Sequence, residues 1–189
     1  MSVRRVYITG ASGTGTTSVG ASLATALDLQ HIDTDAHFWW PTDPPFTHRR
    51  KPAERRASLL AAISQKGWVI SGSCEEWGLD ILEEADLVVF LTASRSERLR
   101  RLRKREHERF GARIAPEGDM YEVYRSFLDW AMSYDDGGVQ GRSWHRQEAW
   151  LLQQPAPVLR LRAEQPYESL IAELLDAIRP SAPSNQPSF

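Results

Sequence analysis

The amino-acid sequence predicts an α/β fold in which a parallel sheet of five strands carries helices on both faces. Short apolar runs recur along the chain and are separated by longer segments whose apolar residues have helical spacing. One run, "DLVVFL" at residues 86–91, contains five consecutive apolar residues, which is typical of a strand covered on both faces. Ligands of such sheets bind at the carboxyl ends of the strands.

The first third of the chain shows this alternation clearly. "VYI" at residues 6–8 is a short apolar run that ends in a glycine cluster, and it predicts a buried strand. Apolar residues at helical spacing then predict a helix over 16–27, followed by a short strand at 31–33. Residues 36–53 are irregular and rich in aromatic residues and proline, and a helix over 52–65 begins with a proline in its first turn.

The rest of the chain continues the pattern. Further strands are predicted at the apolar runs 68–72, 86–91 and 157–161. Further helices are predicted over residues 95–109, 119–134, 142–152 and 167–178. Ser94 or Ser96 suits the cap of the highly charged helix 95–109. The turn "DDGG" at 135–138 ends the amphipathic helix before it, and a solvent-facing turn is favoured there over a second acidic site.

Composition excludes several function classes. The chain has 189 residues, of which 41% are hydrophobic and 25% charged, and this composition is typical of one globular domain. A formal net charge of -2 gives no indication of a nucleic-acid partner. Cys74 is the only cysteine, so neither an intrachain disulfide nor a cysteine zinc site is expected. No apolar run is long enough to span a membrane and no signal peptide is evident, so we expect a cytoplasmic protein.

The glycine-rich segment "GASGTGTTS" at residues 10–18 carries the strongest functional signal. It nearly matches the phosphate-loop pattern G-x-x-x-x-G-K-[ST], in which glycines let backbone amides approach phosphate oxygens and a hydroxyl binds magnesium. A helix N-terminus directly after such a loop favours an anion. The predicted nucleotide-binding residues are Gly10, Ala11, Ser12, Gly13, Thr14, Gly15, Thr16, Thr17 and Ser18.

Thr16 occupies the position that the pattern reserves for lysine. A charge-assisted hydrogen bond contributes about 1.5–3 kcal/mol, and threonine supplies no charge. Fast phosphoryl transfer would therefore need another cation at the transition state.

Two other interpretations of the loop remain. One is a glycine-rich turn with no ligand. The other is the NAD(P)-binding loop of a short dehydrogenase, although Thr16 stands where G-x-x-G-x-x-G needs its last glycine and no tyrosine begins a Y-x-x-x-K motif.

The motifs together resemble those of small P-loop kinases of the shikimate kinase and nucleoside-monophosphate kinase type. More closely, the chain resembles bacterial proteins described as adenylate kinase-like or topology-modulation (FlaR-like) proteins. The matching segments are "GASGTGTTS", "HIDTDAHFW", "VISGS", "DLVVFL" with the arginine-rich helix after it, and "PVLRL" before the last helix. The resemblance spans about residues 5–178 and implies the P-loop NTPase fold, ATP and Mg²⁺.

The resemblance also implies how the chain is organised. It suggests one kinase-like domain over residues 1–179, with a substrate-binding subdomain at 36–66 and a lid region at 95–140. The polar, proline-rich residues 180–189 are expected to form a disordered tail.

In the kinases that the chain resembles, an Asp-x-Asp pair follows the second strand. Here this pair is Asp33 and Asp35, expected on alternate sides of a strand end. The resemblance assigns Asp33, with Thr17, to the metal and Asp35 to the acceptor, whose hydroxyl proton it could accept or orient. The competing interpretation is that either aspartate caps the next segment.

Four arginines lie at spacings of three, four and four on helix 95–109, and so line one face: Arg98, Arg101, Arg105 and Arg109. Lid arginines of the resembling kinases neutralise the transferring phosphate. We therefore interpret this row as catalytic and as a possible replacement for the missing lysine. The alternative is a solvated helix face on which glutamates are the partners.

The predicted acceptor-binding residues are Asp35, Trp39, Trp40, Arg49, Arg50, Ser71, Gly72 and Ser73. The two tryptophans could stack on a flat ring and the arginines could bind an anion. Equally, the aromatic residues could form a small core of their own, and the "SGS" segment could be a plain turn. The function predicted is ATP-dependent phosphoryl transfer to a small-molecule or nucleotide acceptor. The alternative is a nucleotide-binding regulatory protein without transfer chemistry.

Overall fold

The computed structural model describes residues 3–137 and 141–178, and a five-stranded parallel sheet forms its centre. The strands are β1 (Arg5–Gly10), β2 (Gln30–Asp33), β3 (Trp68–Ser71), β4 (Leu87–Thr92) and β5 (Val158–Arg162). Their order in the sheet is β2-β3-β1-β4-β5, and every pairing is parallel. The predicted α/β fold is confirmed. Because dinucleotide-binding folds follow the order 3-2-1-4-5-6, this order argues against the dehydrogenase interpretation.

Helices cover the sheet on both faces. They are α1 (Thr16–Leu27), α2 (Asp35–Phe38), α3 (Pro52–Ala62), α4 (Leu79–Leu82), α5 (Arg95–Phe110), α6 (Tyr121–Met132), α7 (Trp144–Leu151) and α8 (Tyr167–Ile178), with a 3-10 helix at Gly111–Ile114. The long helices coincide with predicted ones to within a few residues. The four-residue helices α2 and α4 and the 3-10 turn were not predicted, because segments this short show no complete apolar period.

Alternate residues of the central strands face two separate cores. Val6, Ile8 and Val89 pack with apolar residues of α1 and α8 on one face of the sheet. Tyr7 and Phe90 pack on the other face with residues from α3, α4 and α7. The continuous apolar run of β4 is thus explained, since both of its sides are buried.

Helix α5 is fastened to the turn after α6. Arg95 forms ion pairs with Asp135 and Asp136, and the guanidinium of Arg98 lies 2.6 Å from Asp135 Oδ2. The carboxylates of the "DDGG" turn therefore pair with α5. The Asp136 side chain is nonetheless 67% exposed, so this turn also faces solvent.

Two expectations concern the ends and the environment of the chain. The predicted tail at 180–189 lies outside the described residues. Among the residues that are described, no helix is both long and apolar enough to cross a membrane.

Candidate functional site

The glycine loop joins β1 to α1 at the carboxyl edge of the sheet. Gly13 and Gly15 have φ angles of +88° and +93°, which side-chain-bearing residues rarely adopt. Gly15 directly precedes α1, and no side chain caps this helix end. The first amides of α1 therefore lack intrahelical partners and are available to an anion.

Contacts within the protein fix the shape of this loop. A Cβ on Gly13 would lie 2.7 Å from the carbonyl oxygen of Arg98, so the loop packs directly on the backbone of α5. The Thr14 hydroxyl donates to the Ala11 carbonyl at 2.8 Å. A Cβ on Gly15, by contrast, would meet no atom within 4 Å, so open space lies beside the loop at this position.

Thr17 and the two aspartates come together beside the loop. The Thr17 hydroxyl donates to Asp33 Oδ2 at 2.9 Å, and the Asp35 amide donates to Asp33 Oδ1 at 2.9 Å. The expectation that both aspartates lie on a strand end is wrong, because β2 ends at Asp33 and Asp35 is the first residue of α2. Asp33 therefore fits both interpretations made from the sequence. It accepts a hydrogen bond from the Asp35 amide, as a capping residue would, and it also contacts Thr17, as a metal ligand would.

A hydroxyl next to a carboxylate suits Mg²⁺, which prefers oxygen ligands and keeps several waters. No cluster of three or more His, Cys, Asp or Glu that could hold a metal occurs in residues 3–137 and 141–178. Thr17 and Asp33 would therefore share the ion with phosphate oxygens and water. This donor set fits a metal that arrives with a nucleotide.

Asp35 lies where several arginines converge. Solvent reaches this residue, yet the protein atoms of the cleft reduce its hydration, and this desolvation is the main reason that its pKa is raised, with the Asp33 charge second. The charges of Arg142, Arg105 and Arg109 oppose the rise in this pKa. A carboxyl group with a raised pKa, surrounded by cations, is a typical arrangement for proton transfer.

The row of four arginines on α5 separates into two pairs. Arg98 is only 3% exposed, and it pairs with Asp135 and donates to the Ala93 carbonyl. Arg101 pairs with Glu97 and donates to the Ala163 carbonyl. These two have structural partners. Arg105 and Arg109 are exposed and their charges lower the pKa of Asp35, although Arg105 also pairs with Glu106 at 2.7 Å.

Arg142 was not predicted as a site residue, yet it reaches the glycine loop. Its Nη2 donates to the Ser12 hydroxyl at 2.8 Å, and its guanidinium lies 5.4 Å from the ring centre of Trp130. Arg142 lies 126 positions after Thr16 in the sequence, and neither spacing nor motif connects the two positions.

Aromatic and arginine side chains interleave in the segment after α2. Trp39 makes edge contacts with Phe38 and Phe46, and the Arg50 guanidinium stacks 3.7 Å from the ring centre of Trp40. Arg49 lies over both Phe38 and Trp39. The rings therefore pack on one another and on arginines, as the interpretation of a small separate core expects. Trp40 remains 44% exposed.

The "SGS" segment at the end of β3 is held by the protein around it. The Ser71 hydroxyl lies 2.9 Å from His31 Nε2, and Ser73 donates to Glu75 at 2.5 Å. A Cβ on Gly72 would lie 2.0 Å from the Thr34 hydroxyl oxygen. The acceptor-binding role of this segment stays a prediction.

A partly buried polar network connects the site to α7. The Thr9 hydroxyl donates to Glu75 at 2.6 Å, and Gln147 Nε2 donates to Thr9 at 2.8 Å and to Glu75 at 3.0 Å. The Tyr134 hydroxyl completes the network by donating to Gln147 Oε1 at 2.6 Å. It joins the end of β1, the turn after β3 and the helix that follows Arg142.

The site geometry and the strand order are accompanied by a match to a known family. The family model described as "AAA domain" matches residues 6–122, which is more than half of the chain. The chain belongs to this AAA domain family. The AAA domain match includes the glycine loop, both aspartates and α5, and the fold is that of P-loop small-molecule kinases.

Relatives of this AAA domain protein are consistent with that assignment. The chain is 36% identical over 174 residues to the uncharacterized protein YqaC of Bacillus subtilis (strain 168), a match covering 92% of this chain and 96% of YqaC. Among solved structures, shikimate kinase from Bacteroides thetaiotaomicron is similar at a TM-score of 0.57 and 19% identity, over 94% of this chain and 99% of that one. Shikimate kinase from Acinetobacter baumannii, solved with shikimate, is similar at 0.54 and 16% identity, over 93% of each chain. Both structures share the fold.

Sequence reasoning missed three residues that the structure places at the candidate site of this AAA domain protein. Glu75 has no motif around it, and Arg142 and Gln147 lie beyond the residues matched by the family model. Only the folded chain brings them to the carboxyl edge of the sheet.

Proposed function

We propose that the protein transfers the γ-phosphoryl group of ATP to a hydroxyl group of a small anionic acceptor. The observation that carries this proposal is the convergence of three features at the N-terminus of α1. These are a glycine loop that leads into a helix with no side-chain cap, the Thr17–Asp33 pair suited to Mg²⁺, and Asp35 near several arginines.

Each of these residues has a separate proposed role in the transfer. Backbone amides of residues 10–18 hold the phosphates. Thr17 and Asp33 hold Mg²⁺, which when bound neutralises part of the phosphate charge. Asp35 accepts the acceptor's hydroxyl proton while the hydroxyl oxygen bonds to the γ-phosphorus. The bond from that phosphorus to the bridging oxygen breaks and ADP leaves. Arg105 and Arg109, on the lid helix α5, offset negative charge at the transferring group.

Two arginines beside α2 support the proposal that the acceptor is anionic. The guanidinium groups of Arg49 and Arg55 lie 5.9 Å and 3.7 Å from the ring centre of Phe38. Neither guanidinium forms a salt bridge within residues 3–137 and 141–178. Burial, and then the charge of Arg49, lowers the pKa of Arg55. A phosphate or carboxylate on the acceptor would relieve this repulsion.

Transfer can be tested with labelled ATP and a panel of acceptors. The panel contains nucleoside monophosphates, hydroxylated carboxylic acids and neutral polyols, with ATP affinity measured separately by calorimetry. We expect Mg²⁺-dependent ATP binding and transfer to an anionic member of the panel. Arg49→Ala and Arg55→Ala should each raise the KM for that acceptor about tenfold and leave the ATP affinity unchanged.

The second candidate is a nucleotide-binding regulatory protein, which Thr16 favours because it leaves the loop without its usual cation. Nucleotide binding with no transfer to any acceptor would support this function over the kinase. Absence of ATP binding at millimolar nucleotide and magnesium would contradict both.

A further inference from the structure

In the phosphate-loop pattern the residue at position 16 is a lysine, which provides a positive charge that Thr16 does not. Within the described residues, Arg142 is the arginine whose guanidinium hydrogen-bonds a loop side chain, with Nη2 2.8 Å from the Ser12 hydroxyl oxygen. We propose that Arg142 is a nucleotide-contacting residue which supplies, from the far side of the loop, the positive charge that a lysine at position 16 would provide. This inference rests on the proposed function.

The Arg142 guanidinium has hydrogen-bonding and ion-pairing capacity that the described residues do not use. Its Nε is buried and has no hydrogen-bond partner in residues 3–137 and 141–178. No carboxylate of the same residues lies within ion-pair distance of the Arg142 guanidinium. Burial raises the pKa values of Asp35 and Tyr134, and the charge of Arg142 opposes this rise from farther away. The half-buried guanidinium therefore keeps an unpaired charge, and an acceptor oxygen of a ligand at its terminal nitrogens would provide a partner for this charge.

Trp130 and the backbone before Arg142 hold this side chain in place. The guanidinium lies over the Trp130 ring at 5.4 Å, a distance at which a cation is attracted to the ring face. Gly141, with φ of +83°, directly precedes Arg142, and a Cβ there would lie 3.8 Å from Trp130 Nε1. The turn thus brings the chain close to the ring and directs Arg142 to the loop.

The other arginines near the site have different partners. Arg98 and Arg101 are bound to Asp135 and Glu97, and Arg105 pairs with Glu106 at 2.7 Å. The row on α5, which the sequence suggested as the replacement for lysine, has no hydrogen bond to a loop side chain among the described residues. We therefore assign the charge that replaces the lysine to Arg142, two residues before α7, whereas Arg105 and Arg109 keep their proposed role at the transferring group.

The test measures the affinity for Mg·AMPPNP, Mg·ADP and AMP by calorimetry. The variants are Arg142→Ala, Arg142→Lys, Thr16→Lys and the double variant Thr16→Lys/Arg142→Ala. Arg103→Ala, an exposed arginine on α5, is the matched control for loss of one positive charge. Thermal unfolding of each variant reports whether it folds.

We expect Arg142→Ala to weaken Mg·AMPPNP binding about tenfold to a hundredfold, and AMP binding by less than about threefold. Arg142→Lys should retain most of the affinity because it retains the charge. The double variant should regain most of what Arg142→Ala loses, since the usual lysine then carries the charge. A merely structural Arg142 would not be rescued by a lysine at position 16.

The failures are distinguishable. If the wild-type protein does not bind Mg·AMPPNP, the proposed function fails. If the wild type binds and folded Arg142→Ala binds equally well, the inference is overturned and the proposed function stands. Failure of the double variant to regain affinity also overturns the inference. Should Arg142→Ala not fold, Arg142→Gln, which also removes the positive charge, takes its place in these comparisons and in the double variant.

Discussion

Asp35, the proposed catalytic base, reduces the stability of the folded protein when it is charged. Its pKa lies above the ordinary 3.8, chiefly because the cleft desolvates it. Above both pKa values the charged form therefore opposes folding, whereas below 3.8 the group is neutral in both states and the penalty vanishes. Asp35→Asn should raise the melting temperature at pH 7 by about 1–2 °C, a small gain because solvent reaches the group. It should also lower phosphoryl transfer at least about a hundredfold.

Melting curves of wild type and Asp35→Asn at pH 7 and pH 3.5 check the stability effect, and the acceptor assay checks transfer. Asp129→Asn, on the exposed side of α6, is the control for loss of a carboxylate. A variant that melts lower than wild type at pH 7 would contradict the assigned direction of the pKa shift.

Individual site residues differ in how far the sequence reveals them. Thr17, Asp33 and Asp35 lie inside local motifs, so spacing alone brings them together near one strand edge. Arg142 depends on the return of the chain after α6, which is a long-range property. Arg98 was given a catalytic role from its position in a helical row, but its burial and its pairing with Asp135 show a structural role.

Close packing of the glycine loop on α5 predicts different outcomes for two glycines. Alanine at either Gly13 or Gly15 costs about 1–3 kcal/mol for its positive φ. Gly13→Ala adds about 1–3 kcal/mol, because its Cβ would overlap the Arg98 carbonyl. Gly15→Ala should therefore unfold at higher urea than Gly13→Ala. The methyl group of Gly15→Ala nonetheless occupies the open space beside the loop, so this variant should bind ATP at least about tenfold more weakly than wild type.

Gly137→Ala is a matched control for the backbone cost. Its φ is +97° and a Cβ there would approach no closer than 4.0 Å to His145. It should lose stability as Gly15→Ala does and keep the ATP affinity. Equal stability of the Gly13→Ala and Gly15→Ala variants would show that the loop does not pack against the backbone of α5 at Gly13.

Regular elements were predictable where their pattern was long. The boundaries of α5 and β4 follow from a serine cap and a continuous apolar run, and the structure agrees to within one residue for each. Helix α2 was missed, and with it the position of Asp35, because four residues at the end of a strand carry no periodic signal. The link between α5 and Asp135 was also unpredictable, since it joins two elements through the tertiary structure.

The single cysteine reports on opening of the whole molecule. Cys74 is 1% exposed, its amide donates to the Tyr7 hydroxyl at 3.3 Å, and burial is the main reason that its pKa is raised well above the ordinary value. A thiol reagent needs the exposed thiolate, so labelling requires the core around β1 and β3 to open. We expect native protein at pH 8 to react at least about a hundredfold more slowly than protein in denaturant.

Labelling is followed by absorbance with a chromogenic disulfide reagent, and Cys74→Ser provides the blank. Rapid stoichiometric labelling of the native protein would show that this part of the core opens far more readily than its burial implies.

Across the whole molecule, the network of Glu75, Thr9, Gln147 and Tyr134 determines how the site is prepared for its ligand. It ties the first turns of α7, and hence the arginine just before them, to the strand that carries the glycine loop. The proposed nucleotide-contacting residue Arg142 is thus linked through α7 to the central sheet, and the protein's own hydrogen bonds hold this arrangement. Electrostatic preorganisation of this kind avoids reorientation during the reaction. On the proposal made above, nucleotide binding by a loop that has threonine at position 16 would depend on the hydrogen bond from Gln147 in α7 to Thr9 in β1.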